Sequence, residues 1–287
     1  MCSSDLDVLG LIGPNGCGKT TSIMCMLSLL KYDSGTIEVF GKKDISNEYE
    51  IKKKIGIVPQ ELAVFNNLTV KENIDYFCGL YVSNKNERKR LVNEAIEFTG
   101  LQSHEKMLEK KLSGGLKRRL NIACGISHKP ELVILDEPTV AVDAQSRKFI
   151  LDGIKNLAEN GSSILYTTHY LDEAEYLCNK ISIMDNGKNI LTGDMQTLIN
   201  GVSVKEKITV VGFIKPEIIS ILEKQDEVID IETKENQVTF NYSTDTGNIK
   251  KLIYLLDENN VVYEEIFSKK PKLEDIFLEM TGKELRE

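Results

Sequence analysis

Residues Gly13-Pro14-Asn15-Gly16-Cys17-Gly18-Lys19-Thr20 fit the spacing G-x-x-x-x-G-K-[ST]. That spacing suits phosphate. Glycines let a loop turn its backbone N–H groups inward as a nest for oxyanions. A helix starting where the loop ends adds the positive end of its dipole. Gly13, Asn15, Gly16 and Gly18 are expected to form the cradle. Lys19 would place its charge between β- and γ-phosphates, Thr20 would offer a hydroxyl to Mg²⁺, and Thr21 beside it is expected to bind the nucleotide. A chance glycine-rich turn would not carry the whole pattern between a short apolar run at 7–12 and a helix-compatible stretch at 19–30. Cys17 occupies a variable position of the motif, so it is given no redox role.

Such a loop serves GTPases, kinases and ATPases alike, so the second half of a site must discriminate. Leu132-Val133-Ile134-Leu135-Asp136-Glu137 is an apolar strand ending in two carboxylates. Successive side chains at a strand end point to opposite sides. Asp136 is therefore expected to reach Mg²⁺ through its water shell. Glu137 is expected to face the γ-phosphate, orient the attacking water and accept its proton. A solvated acidic turn is the bland alternative, and the phosphate loop upstream argues against it. His169 follows the apolar strand at 163–167 and is expected to hydrogen-bond the γ-phosphate. His104 and His128 have no comparable setting.

These groups need a scaffold. Strands are expected at 7–12, 36–41, 54–58, 132–135, 163–167 and 181–184, the last before the turn Asp185-Asn186-Gly187. Helical periodicity covers 70–100, and 113–127 reads as a helix. Four apolar residues in a row, as at 132–135, mark a parallel strand covered on both faces. Strands alternating with helices give an α/β domain over 1–201. Beyond it, 202–287 reads strand (207–211), helix (216–224), strand (228–232), strand (237–242), helix (248–259) and strand (261–267). That βαββαβ order is the ferredoxin-like pattern of a small α+β domain. A last helix is expected at 273–280.

Composition narrows the class. The 287 residues are 41% hydrophobic and 28% charged, enough for one large or two smaller cores. The net charge of -8 disfavours nucleic acid as a partner. Six cysteines without CxxC pairing read as free thiols of a reducing compartment. No apolar run reaches the roughly 18–20 residues that span a bilayer, so any membrane step would fall to another chain.

With these residues placed, the sequence resembles the nucleotide-binding subunit of ABC transporters over residues 7 to about 201. Gln60, after Ile57-Val58-Pro59, resembles the Q-loop glutamine, a Mg²⁺ ligand that senses a permease. Leu112-Ser113-Gly114-Gly115 resembles the signature motif, whose Ser113, Gly114 and Gly115 would grip a γ-phosphate held by another subunit. Asp136 and Glu137 match the Walker B pair, Val142-Asp143 the D-loop at a dimer seam, and His169 the switch histidine. The stretches 117–120, 136–147 and 273–278 are similar to the ABC-2 group of antibiotic and multidrug exporters. The resemblance implies a P-loop ATPase with a helical subdomain, ATP and Mg²⁺ as cofactors, and export as the process. It also implies a second copy and an ABC-2 type permease as partners, at the cytoplasmic face of the membrane. Phe65, Leu68, Tyr76 and Phe77 are candidates for permease docking, although apolar helical spacing suits a core equally well. A soluble ABC-type ATPase of ribosomes or DNA is the alternative, but no tandem cassette or coiled-coil insertion is present.

Three departures stand out. Leu116 replaces a common Gln, and Ala141 a common Gly, which would stiffen the seam. Family members also carry a longer stretch before the phosphate loop, including an aromatic that stacks on adenine and strands of an antiparallel subsheet. Residues 1–6 match the translation of a sequencing adapter, so the native beginning is expected to be missing, with weakened nucleotide affinity and an exposed sheet edge.

Overall fold

The computed structural model describes residues 8–282, so the expectation for residues 1–6 lies outside the described residues. The chain divides into two compact units, 8–190 and 191–282. The division falls ahead of the 201/202 boundary read from composition.

The first unit is built on a sheet ordered β2-β3-β4-β1-β5-β6. Its strands are β1 (Val8–Ile12), β2 (Ile55–Val58), β3 (Leu132–Asp136), β4 (Ser163–Thr168), β5 (Lys180–Asp185) and β6 (Lys188–Gly193), the last of which runs past residue 190. The pairs β2·β3, β3·β4, β4·β1 and β1·β5 are parallel. β5 turns into β6 through Asn186 (φ 48°) and Gly187 (φ 74°), left-handed positions that suit a tight hairpin. Helices α1 (Lys19–Met26), α2 (Tyr49–Lys52), α6 (Ala144–Glu159) and α7 (Leu171–Leu177) belong to this unit, as do α3 (Val70–Gly79), α4 (Lys85–Phe98) and α5 (Gly114–Ile126). β3 has cover on both faces, which explains its unbroken apolar run. Val133 and Leu135 pack with Ile150, Ile154 and Leu177, whereas Ile134 packs with Ile23, Leu27 and Ile51. Each fully buried aliphatic side chain there stabilises the fold by about 1.5–3 kcal/mol.

The helical run expected over 70–100 is two helices. Thr69 and Glu72 form a capping box at the start of α3. Asn84 restarts the chain as α4, its side chain accepting from Asn86 N (3.0 Å) and Glu87 N (3.1 Å). α3, α4 and α5 share a core that includes Val70, Ile74, Leu91, Val92, Ile96 and Leu120. The strand expected at 36–41 does not form. Only an isolated bridge joins Val39 to Lys42, because among the described residues no strand pairs with this segment.

The second unit comprises α8 (Met195–Asn200), β7 (Glu206–Val211), α9 (Pro216–Leu222), β8 (Val228–Lys234), β9 (Gln237–Tyr242), α10 (Asn248–Glu258), β10 (Glu265–Lys269) and α11 (Leu273–Thr281). Its sheet, ordered β10-β7-β9-β8, is antiparallel throughout and has the ferredoxin-like topology. Ile208, Val210, Val238 and Phe240 pack against Leu252 and Leu256 of α10. The last strand lies later than the sequence suggested, because its register sets Glu265 opposite Val211 and Lys269 opposite Lys207.

Candidate nucleotide-binding site

β1 runs into the glycine-rich loop and α1 leaves it. Gly16 (φ 81°) and Gly18 (φ 107°) adopt left-handed backbone that L side chains rarely take. Gly13 is needed for room: a Cβ there would lie 2.3 Å from Met184 O and 2.6 Å from Cys17 Sγ. The β5–β6 turn braces the loop, with Gly187 N donating to Cys17 O at 3.0 Å. α1 starts at Gly18 without a side-chain cap, which leaves its first-turn amides open to an anion. Asn15, Thr20 and Thr21 are exposed around this opening.

Lys19 is only 5% exposed. Its Nζ donates to Gly13 O (2.7 Å) and Pro14 O (3.3 Å) and lies 3.2 Å from Glu137 Oε1. Two further groups approach the same carboxylate. Gln60 Nε2 donates to Glu137 Oε2 at 3.1 Å, and His169 Nδ1 stands 3.4 Å from Oε2 without hydrogen-bond geometry. Asp136 accepts from Thr20 Oγ1 (2.7 Å) on one oxygen and from Thr167 Oγ1 (2.5 Å) on the other. Lys19, Thr20, Gln60, Asp136, Glu137 and His169 are thus brought together.

Strand alternation is not what aims Glu137, which corrects the reading from sequence. β3 ends at Asp136, and Glu137 turns to φ 47°. That conformation costs an L residue about 1–2 kcal/mol. The turn is held because Glu137 N donates to Thr167 Oγ1 (3.0 Å) and its carboxylate meets Lys19.

Thr20 Oγ1, Asp136 and the amide oxygen of Gln60 are hard oxygen donors, the chemistry Mg²⁺ takes. Among the described residues no group of three His, Cys, Asp or Glu could hold a metal alone.

Ser113, Gly114, Gly115 and Asp143 form a second group at the tips of α5 and α6. Ser113 Oγ accepts from Leu116 N at 3.4 Å, and Asp143 caps α6 by accepting from Ser146 N at 2.9 Å. The Ser146 backbone bond holds the Asp143 carboxyl below its usual range. A Cβ on Gly115 would meet Ser146 Oγ at 2.5 Å, whereas one on Gly114 would meet open space. Ala141, just ahead of this tip, takes φ 59°. Leu116 packs partly against the core of α3–α5.

Some residues escaped the sequence reading. Arg118 Nη1 donates to Pro59 O (3.2 Å) and Gln60 O (2.8 Å). Asn121 donates to Pro59 O (3.2 Å) and accepts from Ala63 N (3.0 Å). Their one signal was a spacing of three, which puts Arg118 and Asn121 on the same face of a helix. Thr167 and Glu173 carried none. Of the docking candidates, Phe65 and Tyr76 are exposed, Leu68 and Phe77 half-buried. Phe65 and Tyr76 meet edge-to-face with centroids 4.9 Å apart.

The sequence pattern described as "ABC transporter" matches residues 4–140. A linearmycin resistance ATP-binding protein of Bacillus subtilis is 37% identical over 97% of this chain and 90% of its own length. A Nod factor export ATP-binding protein I of Sinorhizobium fredii is 30% identical over 98% of this chain and 80% of its own. Among solved structures, cbiO1 of Clostridium perfringens, part of an ABC transporter complex, superposes with a TM-score of 0.61 at 26% identity. That match covers 71% of this chain and 85% of the other. A dimeric ATP-binding cassette in a post-hydrolysis state, bound to ADP and Pi, shares the fold with a TM-score of 0.60 at 23% identity, over 68% of this chain and 88% of that one.

Proposed function

The chain belongs to the family of ABC transporter ATP-binding proteins, and we propose that it powers export through a separate ABC-2 type membrane permease. Its activity is ATP hydrolysis. Export rests on the relatives, one a linearmycin resistance protein and another a Nod factor export protein. On this reading the cargo is a drug, an antibiotic or a lipid-like molecule selected by the permease, and the subunit sits peripherally on the cytoplasmic face.

The observation that carries the mechanism is the Lys19–Glu137 pair, 3.2 Å apart. A γ-phosphate entering the loop would draw Lys19 away, leaving the Glu137 carboxylate to face the attacking water. Glu137 takes the water's proton while the water oxygen bonds to phosphorus and the β–γ bridging bond breaks, with the electron pair leaving on ADP. Gln60 and His169 hold that carboxylate and the phosphate in line. Mg²⁺, held by Thr20, Gln60 and Asp136, would neutralise charge on the β- and γ-phosphates.

Ser113, Gly114, Gly115 and Asp143 serve a second copy in this scheme. Two subunits meet head to tail, and each ATP lies between residues 13–20 of one and 113–115 of the other. ATP favours the closed pair because it touches both halves, and hydrolysis removes that bridge. Phe65, Leu68, Tyr76 and Phe77 would receive the permease. The test is Glu137→Gln with ATP in sedimentation velocity. A dimer that dissociates when ATP is exchanged for ADP is expected. A variant that stays monomeric with saturating ATP and its permease present would overturn the scheme.

A further inference from the structure

Glu173 lies in α7, 1% exposed, and has no part in the mechanism above. Its Oε2 accepts three hydroxyls: Thr139 Oγ1 at 2.9 Å, Tyr166 OH at 2.7 Å and Thr168 Oγ1 at 3.0 Å. Its Oε1 lies 3.4 Å from Arg147 Nε, and neither of those two atoms has a hydrogen-bond partner. Burial, then the neighbouring Glu173 charge, holds the Tyr166 phenol well above its usual range, so it remains a donor.

Three of these partners, Thr139, Thr168 and Arg147, lead toward the residues of hydrolysis. Thr139 follows Glu137 by two positions. Thr168 precedes His169, and its Oγ1 also accepts from Tyr170 N at 2.9 Å, so one hydroxyl fixes the backbone around His169. The Tyr170 ring lies against His169, centroids 4.2 Å apart, and carries the Arg147 guanidinium at 4.5 Å. Arg147 stands at the start of α6, its backbone N–H donating to Asp143 O at 2.8 Å as the first helical bond. A well-packed apolar group would fill such a site at less cost than a buried carboxylate. Core packing alone therefore does not call for Glu173.

We propose that Glu173 is a positioning residue for hydrolysis: it fixes His169 against Glu137 and ties that loop, through Arg147, to the Asp143 turn. The inference rests on the roles given above to Glu137 and His169. Phosphate contact at His169 and helix-tip contact at Asp143 then move as one rather than independently.

The experiment measures single-turnover ATP hydrolysis and ATP affinity for wild type, Glu173→Gln, His169→Ala and the double variant, each as the full chain. Gln keeps one acceptor oxygen for the hydroxyls and removes the charge facing Arg147. Glu173→Gln is expected to slow turnover roughly 10–100-fold with ATP affinity within about two-fold of wild type. The double variant should be no slower than His169→Ala alone, because both changes remove one function. Losses that multiply, or wild-type turnover in Glu173→Gln, overturn the proposal. A wild-type chain that binds ATP without hydrolysing it overturns the functional reading, and this one with it. Normal turnover in wild type with multiplying losses sinks this one alone. Should Glu173→Gln fail to fold, Tyr166→Phe removes a single donor at equal volume. Its smaller loss must likewise vanish in the His169→Ala background, and persistence there overturns the proposal. Hydrogen exchange in Arg147→Met supplies a readout without nucleotide. Faster exchange at 168–170 is expected, and unchanged exchange there counts against the tie.

Discussion

Arg118 donates through one guanidinium nitrogen to the backbone carbonyl of Gln60, at 2.8 Å, and of Pro59, at 3.2 Å. α5 starts just after Ser113, so the helix whose tip would touch a partner's phosphate also grips the segment that carries Gln60. Arg118 is nearly buried, and burial pushes its guanidinium below the usual value. A charge placed there with carbonyls as partners must make both bonds to be tolerated.

Replacing Arg118 with Met keeps the apolar stem and removes both bonds. Stability should fall by about 1–3 kcal/mol, the cost of leaving buried acceptors unmet. Hydrolysis should fall roughly ten-fold while ATP affinity holds, because Gln60 loses its backing rather than the loop its phosphate contacts. Urea denaturation and ATP titration read the two effects separately. Unchanged stability would show that the carbonyls are solvated instead.

Lys19 and Glu137 hold each other in a buried pair, so removing one leaves the other exposed to a low-dielectric setting. Lys19→Ala is expected to abolish ATP binding and also to destabilise the nucleotide-free chain by about 3–5 kcal/mol. Lys19→Met combined with Glu137→Gln should recover most of that stability and none of the hydrolysis. Thermal melts of the two variants without nucleotide make the comparison. Equal melting points would mean the pair does not form in solution.

The parts of this molecule written in contiguous residues could be read from sequence. The phosphate loop is eight adjacent residues, and β3 shows as an apolar run because both its faces are covered. Residues 36–41 alternate like a strand yet make only a bridge, since alternation does not reveal whether a neighbouring strand exists. The motif reading gives Asp143 a seam role and no helix, although Asp143 caps α6 and Ile150, Leu151, Ile154 and Ala158 mark its buried face. Glu137 reaches Lys19 by a left-handed turn at φ 47°, which no local pattern announces in a non-glycine residue. Arg118 and Glu173 find partners 58 and 34 positions away, at Gln60 and Thr139, so their importance exists only once the chain is folded.

Ala141 occupies φ 59°, a conformation in which an L side chain crowds its own backbone. Ala141→Gly relieves that strain but loosens the unfolded chain, and the two effects leave a net gain of about 0.5–1 kcal/mol. The expected result is a higher urea midpoint at unchanged slope. A lower midpoint would mean the turn is not left-handed in solution.

His128 gives the fold a pH dependence of definite sign. Its Nε2 donates to Ile55 O at 3.2 Å, its ring stacks on Tyr81 with centroids 4.3 Å apart, and its buried Nδ1 has no partner. Burial disfavours the imidazolium and lowers the pKa, while the Ile55 bond opposes that shift more weakly. The Tyr81 phenol, pushed upward by burial, stays neutral and does not interfere. In the unfolded chain the imidazole titrates near its ordinary value of about 6.5. Below that pH the unfolded state binds a proton that the folded state refuses, so stability falls as pH drops from about 6.5 towards 5 and is unaffected above about 7.5. His128→Phe keeps the stack and deletes the titration. The variant should lose stability to wild type by a constant amount above about pH 7.5, and that gap should narrow through acid as wild type weakens. Urea midpoints at half-unit steps from about pH 5 to 8 decide it, and parallel curves across that window would show that His128 is as free to charge in the folded chain as in the unfolded one.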